Sequence, residues 1–380
     1  MIDIIDGNTA AAWAAKLARV QCIPCFPITP QTEIIETIAE WHSNGLFRTE
    51  FNQMESEHSV LSAALGSAMT SARTFTATSS QGLLLMHEIL PIVSGTRTPL
   101  VMVNVSRGLS APITLWSDHN DILAMRDAGW LIFVVETNQE VLDSIIMAYK
   151  IGENKKVLLP ALINMDGFIH SYTRTEVDLP SQNVIDKFLP RFKLGARLDV
   201  KNPMTLGTPA MEDYTFFRSQ LHKAQIASIN VIKHVQKEWY KLTGRMYSLV
   251  EAYKLNDADI AFVSIGANST IVRSAVEKLR KQKIKAGLLR IRLYRPFPEQ
   301  EIKKALQYIK RVVVLDQNIS PGSGGILYPE LRSALFHCNQ KQAISNYVYG
   351  LGGKPVSEQQ IIQIAKDSLK SKSEQRKWVI

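Results

Sequence analysis

Residues 22–32 read CIPCFPITPQT, and this stretch decides the fold that we expect. Its first five residues, 22–26, have the apolar composition of a short buried strand that ends at Pro27. Pro27 and Pro30 fix their own φ angles and hold the residues before them in extended conformations. A helical pattern starts just after Pro30, so Thr29 lies in a rigid turn at a strand end, where ligands bind in open α/β sheets. The alternative is an ordinary turn in which Thr29 caps the next helix.

Strand patterns and helix patterns alternate over most of the chain. Nearly continuous apolar runs occur at 99–106, 130–136 and 157–165, as expected for parallel strands that are covered by helices on both faces. The alternation predicts an α/β fold with a doubly wound parallel sheet. Residues 166–215 interrupt the pattern and are expected to be irregular, and a long helix is predicted from about residue 218 to 243.

Two of the predicted helices have specific boundaries. The alanine-rich segment 6–20 is predicted to be a helix with Asn8 or Thr9 as its N-cap. Residues 80–95 are predicted to form one helix with Pro91 near its end.

A second, smaller α/β unit is expected to begin near residue 256. Its strands are predicted from apolar, β-branched runs at 259–266, 286–294, 311–318 and 344–353. We therefore expect two domains, 1–245 and 256–380, the first of which includes the irregular segment and the long helix.

The composition is that of a globular chain, with 380 residues of which 46% are hydrophobic and 21% charged. No apolar run reaches the roughly eighteen residues of a membrane-spanning helix. The N-terminus has no basic segment ahead of an apolar one, which argues against a secretory signal. The three cysteines, Cys22, Cys25 and Cys338, are too few for a disulfide framework or a four-cysteine metal site. We interpret the CxxC pair as structural and expect a reducing, cytoplasmic location.

The net charge of +9 predicts a basic surface, with basic runs at 278–285 and 368–378. Such a surface could meet nucleic acid, an acidic protein or anionic metabolites. No zinc-finger, RRM or glycine-rich RNA-binding pattern accompanies the basic runs, so nucleic-acid binding is not expected.

Two further stretches carry side chains that are suited to chemistry. QMESEHSV at 53–60 opens a helix with Glu57 in its first turn, where a carboxylate either caps the helix or is offered to a ligand. A strand ends at Arg107, whose guanidinium can hold a carboxylate by two hydrogen bonds. The alternative for Arg107 is an ion pair with Asp118 or Asp121 in the next loop.

Several motifs that bind cofactors are missing from the sequence. There is no GDG followed by a pair of asparagines, no GxGxxG after a strand, no P-loop and no iron–sulfur ligand set. SPGSGG at 320–325 is glycine-rich but lacks the lysine of a P-loop. His58 and His119 are isolated and have no metal-ligand spacing, so no metal site is predicted.

FPITP, MESEH and VSRG, in this order, resemble three motifs of the alpha subunit of pyruvate:ferredoxin oxidoreductase, also called pyruvate synthase. They correspond to the turn, the helix start and the strand-end arginine of that 2-oxoacid:ferredoxin oxidoreductase family. The resemblance covers almost the whole chain and continues through DGNTA at 6–10, TSSQGLLLM at 78–86, SDHNDI at 117–122 and RPFPEQE at 295–301. It implies a domain like the pyrimidine-binding domain of thiamine diphosphate enzymes, followed by one like the C-terminal domain of transketolase.

The resemblance also implies an activity. The chain would be part of an enzyme that oxidatively decarboxylates pyruvate with coenzyme A to acetyl-CoA, carbon dioxide and reduced ferredoxin, or runs the reverse synthesis. By resemblance Glu57 activates thiamine diphosphate, and Thr29 and Arg107 bind the substrate carboxylate. The alternatives are the same chemistry on 2-oxoisovalerate or phenylglyoxylate, and a non-catalytic scaffold subunit. Retention of all three residues speaks against the scaffold.

The missing motifs imply that other subunits complete the enzyme. By resemblance, one partner shares the thiamine diphosphate and supplies magnesium and the diphosphate contacts. Other subunits carry a coenzyme A domain and the iron–sulfur clusters, and ferredoxin accepts the electrons. The chain is therefore expected to be active only in a heteromeric, cytoplasmic complex of anaerobic metabolism. The basic surface would then face acidic ferredoxin or acidic partner subunits.

Overall fold

A computed structural model describes residues 1–207, 212–336 and 342–380. Strands and helices alternate along these residues, which confirms the predicted α/β class. Cys338, one of the three cysteines, lies outside the described residues.

The first part of the chain contains eight strands and ten helices within its described residues. The strands are β1 (Ile2–Ile5), β2 (Cys22–Cys25), β3 (Glu50–Gln53), β4 (Phe75–Thr78), β5 (Val101–Ser106), β6 (Leu131–Val134), β7 (Ala161–Asp166) and β8 (Thr175–Asp178). The helices are α1 (Gly7–Leu17), α2 (Thr32–Ser43), α3 (Glu57–Met69), α4 (Ser80–Leu85), α5 (Leu90–Gly95), α6 (Asn120–Ala124), α7 (Asn138–Gly152), α8 (Ile169–Tyr172), α9 (Gln182–Phe188) and α10 (Tyr214–Thr243).

The first sheet is doubly wound, as predicted. Strands β6, β7, β5 and β4 lie side by side and run parallel, and β2 and β3 continue them through a parallel bridge between Cys22 and Thr74. Alternate residues of β5 enter different cores, since Val101 and Val103 pack with α1, α2, α7 and α10, and Met102 packs with α3 to α6. Helices on both faces explain why these strands are continuously apolar.

The second part of the chain adds seven strands and four helices within its described residues. The strands are β9 (Val250–Tyr253), β10 (Ile260–Ser264), β11 (Ala286–Ile291), β12 (Leu293–Arg295), β13 (Arg311–Asp316), β14 (Ala343–Val348) and β15 (Arg376–Trp378). The helices are α11 (Ser269–Lys281), α12 (Glu299–Leu306), α13 (Leu327–Leu335) and α14 (Glu358–Lys370), with a short 3-10 turn at Leu351–Gly353.

The second sheet has the order β15-β14-β13-β10-β11-β9 and is parallel except for β9. One of its faces packs against α11 and α14. Its other face shares one hydrophobic core with the first sheet, because Val263 and Val312 belong to the same cluster as Leu83 and Met102.

The two parts also share backbone hydrogen bonds. β12 leaves the second part and pairs antiparallel with β6 at the edge of the first sheet, with Leu293 opposite Phe133. The division into domains 1–245 and 256–380 stays a prediction.

Four local predictions differ from the structure. α1 is capped by Asp6 and not by Asn8 or Thr9, because Asp6 Oδ1 accepts a hydrogen bond from the Thr9 backbone N–H at 2.8 Å. Residues 80–95 form two helices, since a proline starts a helix well but cannot continue one, and Pro91 lies in the first turn of α5. The predicted strand 286–294 divides into β11 and β12, which belong to different sheets.

The fourth difference concerns the segment predicted to be irregular. Residues 166–215 contain α8, β8 and α9, and β8 pairs antiparallel with β1 at the N-terminus. Residues 208–211 of this segment lie outside the described residues. None of the described helices is long and apolar enough to cross a membrane.

A buried ion cluster joins α7 to the second part of the chain. Glu140 accepts hydrogen bonds from Arg290 Nη1 and Nη2 at 2.7 and 3.0 Å and from Arg292 Nε. Burial alone would raise the pKa of Glu140, but the two adjacent guanidinium groups hold this pKa at about 2. The carboxylate is therefore charged at every pH at which the protein is expected to work.

We expect Glu140→Gln to lower the free energy of unfolding by about 3–5 kcal/mol near neutral pH, because it leaves the buried Arg292 guanidinium without its counter-charge. The folded state lowers the pKa of Glu140 below its ordinary value of 4.5. Its contribution to the free energy of unfolding is therefore present above pH 4.5 and is lost as the pH falls toward 2. Denaturant unfolding at several pH values measures both effects.

The matched control is Glu88→Gln, which removes an exposed carboxylate paired only with His58. We expect this control to change the free energy of unfolding by less than about 0.5 kcal/mol. Equal unfolding midpoints for the two variants would contradict the role assigned to Glu140.

Candidate active site

The structure brings the three predicted site residues to one edge of the first sheet. Thr29 follows β2, Arg107 follows β5, and Glu57 is the first residue of α3. Arg107 Nη1 donates to the Thr29 backbone oxygen at 2.7 Å. Burial lowers the pKa of Arg107, and the negative charges of Asp121 and Glu57 act against this shift, which places Glu57 within electrostatic reach.

The Thr29 turn is fixed by a neighbouring side chain. Gln31, not Thr29, is the N-cap of α2, so the capping alternative for Thr29 is wrong. The Gln31 amide accepts from the Ile28 backbone N–H at 3.1 Å and donates to the Ala77 oxygen at 2.8 Å. Thr29 itself is exposed, and none of the described residues forms a hydrogen bond with its hydroxyl group.

The Arg107 guanidinium is held by neutral oxygens. Besides the Thr29 oxygen, it donates from Nη2 to Gln81 Oε1 at 2.8 Å. The predicted alternative of an ion pair with Asp118 or Asp121 is wrong, because Asp121 accepts from the Arg107 backbone N–H at 3.1 Å and not from the guanidinium. Arg107 Nε is buried and has no partner among the described residues. The group thus keeps both its charge and a free N–H for an anionic ligand.

The Glu57 carboxylate has no hydrogen-bond donor among the described residues. Ser56 is the N-cap of α3, with its side chain accepting from the Ser59 backbone N–H at 3.3 Å, so the capping alternative for Glu57 is wrong. The Glu57 side chain is only 7% exposed, and no described residue donates a hydrogen bond to it. The Glu57 oxygens are not among the fully buried unpartnered atoms of the described residues, so this carboxylate is open to a ligand that brings a donor.

The space beside Glu57 depends on a glycine. A Cβ on Gly82 would stand 2.6 Å from Glu57 Oε1 and 2.6 Å from Thr78 Oγ1. Thr78 Oγ1 is also buried without a partner in the described part of the chain. The side chains of Glu57 and Thr78 therefore both lie against Gly82, and a residue larger than glycine would not fit there.

The sequence did not identify Asp121 as an organising residue of this site. Its Oδ2 accepts hydrogen bonds from Asn104 Nδ2 at 3.0 Å, from the Ser80 backbone N–H at 3.2 Å and from the Arg107 N–H. Its Oδ1 accepts from the Ser106 hydroxyl at 2.9 Å. Asp121 is fully buried, and burial raises its pKa. It ties the end of β5 to the start of α4.

Gln81 was also missed as a site residue. Its Oε1 accepts from both Arg107 Nη2 and the Ser80 hydroxyl, the latter at 2.6 Å, and its Nε2 is buried without a partner among the described residues. A glutamine in the first turn of a helix is ordinary in sequence. The only signal was the motif TSSQG at 78–82, which carried the family resemblance but no role for Gln81.

The isolated histidines and cysteines do not form a ligand set. His119 is buried, and burial lowers its pKa to about 4, which leaves it neutral. His58 is partly exposed, with Nε2 3.1 Å from Glu88 Oε2. Cys25 is buried in β2, and burial raises its pKa to about 11, which keeps it a thiol. Within residues 1–207, 212–336 and 342–380, no three His, Cys, Asp or Glu side chains come together as metal ligands.

The glycine-rich loop at 320–325 packs on a carboxylate. A Cβ on Gly325 would stand 2.0 Å from Asp316 Oδ2. Asp316 accepts hydrogen bonds from the Leu327 backbone N–H at 3.0 Å and from Asn346 Nδ2 at 2.7 Å. Since Asp316 already occupies the helix N-terminus, this loop is a poor site for a phosphate.

We expect Asp121→Asn to destabilise the chain by about 1–3 kcal/mol for each donor that the new amide group leaves unpaired. Both Asp121 oxygens accept from N–H or O–H donors, so the amide must face at least one of them. Chemical unfolding of the purified chain measures the loss. The control Asp127→Asn changes a carboxylate that is 76% exposed, and equal losses for the two variants would reject the role of Asp121.

Two family models match the chain. The thiamine-diphosphate-binding domain of pyruvate flavodoxin/ferredoxin oxidoreductase matches residues 13–238, and core domain II of pyruvate:ferredoxin oxidoreductase matches residues 258–361.

Archaeal relatives match along almost the full length. Pyruvate synthase subunit PorA of Methanothermobacter thermautotrophicus is 41% identical over 96% of this chain and 95% of the relative. PorA of Methanocaldococcus jannaschii is 43% identical over 100% of this chain and 97% of the relative. Ketoisovalerate oxidoreductase subunit VorA of Pyrococcus horikoshii is 42% identical over 97% of this chain and 93% of the relative.

Two solved structures share the fold. A 2-oxoglutarate:ferredoxin oxidoreductase from Magnetococcus marinus, bound to 2-oxoglutarate, coenzyme A and succinyl-CoA, aligns with a TM-score of 0.72 at 19% identity, over 97% of this chain and 65% of that one. An inactive β4 tetramer of a split-gene transketolase aligns with a TM-score of 0.56 at 10% identity, over 97% of this chain and 99% of that one. At these identities the likeness concerns the fold alone.

Proposed function

This chain belongs to the pyruvate:ferredoxin oxidoreductase family, and we propose that it is the subunit that presents Glu57 to thiamine diphosphate and Arg107 to the substrate. The family consists of thiamine-diphosphate-dependent 2-oxoacid:ferredoxin oxidoreductases, so the chain is part of an enzyme. The single observation that carries the residue assignment is that Glu57, a residue only 7% exposed, has a carboxylate that no described residue pairs.

Glu57 fits the aminopyrimidine end of the cofactor. When bound, thiamine diphosphate supplies the electron sink that takes up the electrons released as a 2-oxoacid loses carbon dioxide. The Glu57 carboxylate would share a proton with a ring nitrogen and so gain the hydrogen bond that the described chain does not give it. Gly82 leaves the room that the Glu57 carboxylate itself occupies.

Arg107 and Thr29 fit the substrate carboxylate. The guanidinium has an unpartnered Nε, and the Thr29 hydroxyl lies on the same turn as the oxygen that holds Arg107 Nη1. A 2-oxoacid presents its carboxylate beside the reactive carbonyl, so anchoring the carboxylate also orients the carbonyl. Gln81 supports this arrangement by holding Arg107 Nη2.

Pyruvate is the substrate that we propose. The relatives of pyruvate synthase and of ketoisovalerate oxidoreductase have similar identities to this chain, 41–43% and 42%, so 2-oxoisovalerate is the second candidate. Phenylglyoxylate remains an alternative from the sequence. The products would be an acyl-coenzyme A, carbon dioxide and reduced ferredoxin.

The named relatives are subunits of multi-subunit oxidoreductases, so this chain is a subunit as well. Its proposed partners are a subunit that holds magnesium and the diphosphate, a coenzyme A domain and a ferredoxin-like iron–sulfur subunit. The described residues supply a carboxylate for the pyrimidine but bring together no metal-ligand cluster for the diphosphate end. The same proposal places the complex in the cytoplasm, with the basic surface facing acidic ferredoxin or acidic subunits.

We expect Glu57→Gln to lower kcat of the assembled complex by about 10²- to 10⁴-fold, the usual contribution of a proton-transferring side chain. Turnover is measured as ferredoxin reduction with pyruvate and with 2-oxoisovalerate. The control is Glu55→Gln, two residues earlier, which changes an exposed carboxylate bonded to the Ser59 hydroxyl and should leave kcat unchanged. Unchanged turnover of Glu57→Gln would instead favour a scaffold subunit.

A second pair of variants probes the same carboxylate without altering its charge. Gly82→Ala places a methyl group within 2.6 Å of Glu57 Oε1 and must displace it, so kcat is expected to fall. Gly66→Ala, in α3, meets no atom within 4 Å and serves as the control.

We expect the native complex to contain a companion chain with a GDG motif and downstream asparagines, and another with cysteine ligands for iron–sulfur clusters. Affinity purification of the chain from its own cells, followed by mass spectrometry of the co-purifying proteins, tests this expectation. Recovery of the chain as a homo-oligomer with full activity would contradict the proposed sharing of the cofactor.

A further inference from the structure

The loop that carries Arg107 is held from outside the first sheet. We call residues 107–119 the arginine loop; it runs from the end of β5 to the start of α6. The loop closes on itself where the Gly108 N–H donates to the Trp116 oxygen at 2.9 Å. Its Ser117 oxygen and His119 N–H form hydrogen bonds with the second part of the chain.

Asp118 forms the central contact between this loop and the second part. Its carboxylate is buried, with 5% of the residue exposed. Oδ1 accepts from the Asn120 N–H at 3.0 Å, and Oδ2 accepts from the Gly352 N–H at 3.1 Å. Oδ2 also stands 3.0 Å from where a Cβ on Gly108 would be. The carboxylate therefore lies between Gly352 and the residue that directly follows Arg107.

Neighbouring hydrogen bonds strengthen the same junction. The Ser117 oxygen accepts from the Gly353 N–H at 2.7 Å and from Gln317 Nε2 at 3.1 Å. The His119 N–H donates to the Gln317 oxygen at 2.8 Å. Gln317 follows β13 and Gly353 follows β14, so two strand ends of the second sheet hold the arginine loop.

We propose that Asp118 is a positioning residue through which the second α/β unit sets the place of Arg107 against the substrate carboxylate. The proposal rests on the substrate-binding role proposed for Arg107. Among the residues that the structure describes, the Thr29 and Gln81 oxygens alone anchor the guanidinium, so its place depends on the backbone from which it extends. A displacement of about 1 Å in a binding group can cost about 10²-fold in rate.

The two hydrogen bonds of Asp118 are strongest when the carboxyl group is ionised. Both of its oxygens accept from N–H groups, and a proton on either oxygen would face a donor. Burial raises the pKa of Asp118 to about 6, and the carboxylates of Asp121 and Asp166 act in the same direction, against the N–H groups of Asn120 and Gly352. The adjacent His119 stays neutral in this range because burial lowers its pKa to about 4. Because the pKa of Asp118 lies above its ordinary value of 3.8, acidification does not weaken the junction, and the test of the contact is therefore a substitution.

The test is Asp118→Asn in the assembled complex. The new amide group must face the N–H of either Asn120 or Gly352, so one of the two hydrogen bonds is lost. We expect KM for the 2-oxoacid to rise about tenfold, with a smaller change in kcat, since a charge-assisted hydrogen bond is worth about this factor. The control Asp127→Asn, which changes an exposed carboxylate, should leave KM unchanged.

Two further readouts separate positioning from general destabilisation. Asp118→Glu keeps the carboxylate and should raise KM less than Asp118→Asn does. Hydrogen exchange at residues 350–354 and 107–119 should be faster in Asp118→Asn, and exchange in β10 and β13 should be unchanged. If neither variant assembles, Gln317→Leu, which removes a donor to the Ser117 oxygen, is measured in its place, and an unchanged KM would overturn the proposal.

Arg107→Lys distinguishes this inference from the proposed function. A raised KM for Arg107→Lys together with an unchanged KM for Asp118→Asn would keep the role of Arg107 and reject that of Asp118. Unchanged KM values for both variants would reject both assignments.

Discussion

A carboxylate that is removed from water needs a cation or hydrogen-bond donors, and this requirement organises the chain. Glu140 is satisfied by two arginines, and Asp121 by the backbone and side chains of the sheet edge. Asp118 accepts one of its hydrogen bonds from the Gly352 N–H, in the segment that follows β14 of the second sheet. Glu57 differs from these three because the described chain offers it no donor. The Glu57 oxygens are also not fully buried, so this carboxylate is open to the cofactor that we propose.

The site and the junction between the two sheets are parts of one arrangement. The carboxyl ends of β2 and β5 carry Thr29 and Arg107, and the ends of β13 and β14 approach the loop that leaves β5. Parallel strands make this geometry available because all their carboxyl ends point to the same edge. The hydrophobic core shared by the two sheets holds these two edges in place against each other.

The sequence predicted what depends on local pattern and on strand direction. The α/β class and the parallel sheet follow from apolar runs and their alternation with helices. The meeting of Thr29 with Arg107 was implied by the family resemblance, in which both bind one carboxylate. The sequence did not predict the pairing of β1 with β8 or of β12 with β6, which join segments far apart in the chain. Asp121 and Gln81 were missed for a similar reason, because their roles arise only when three separate segments meet.

The pairing of β12 with β6 has a consequence for biosynthesis. A ribosome makes the chain from its N-terminus, so β6 leaves the exit tunnel long before the residues that cover it. Until then the nascent first sheet ends in an uncovered apolar strand, and such edges recruit other strands. The first sheet therefore cannot be completed until β12 and most of the second part have been translated. During this time chaperones can protect the exposed edge of β6.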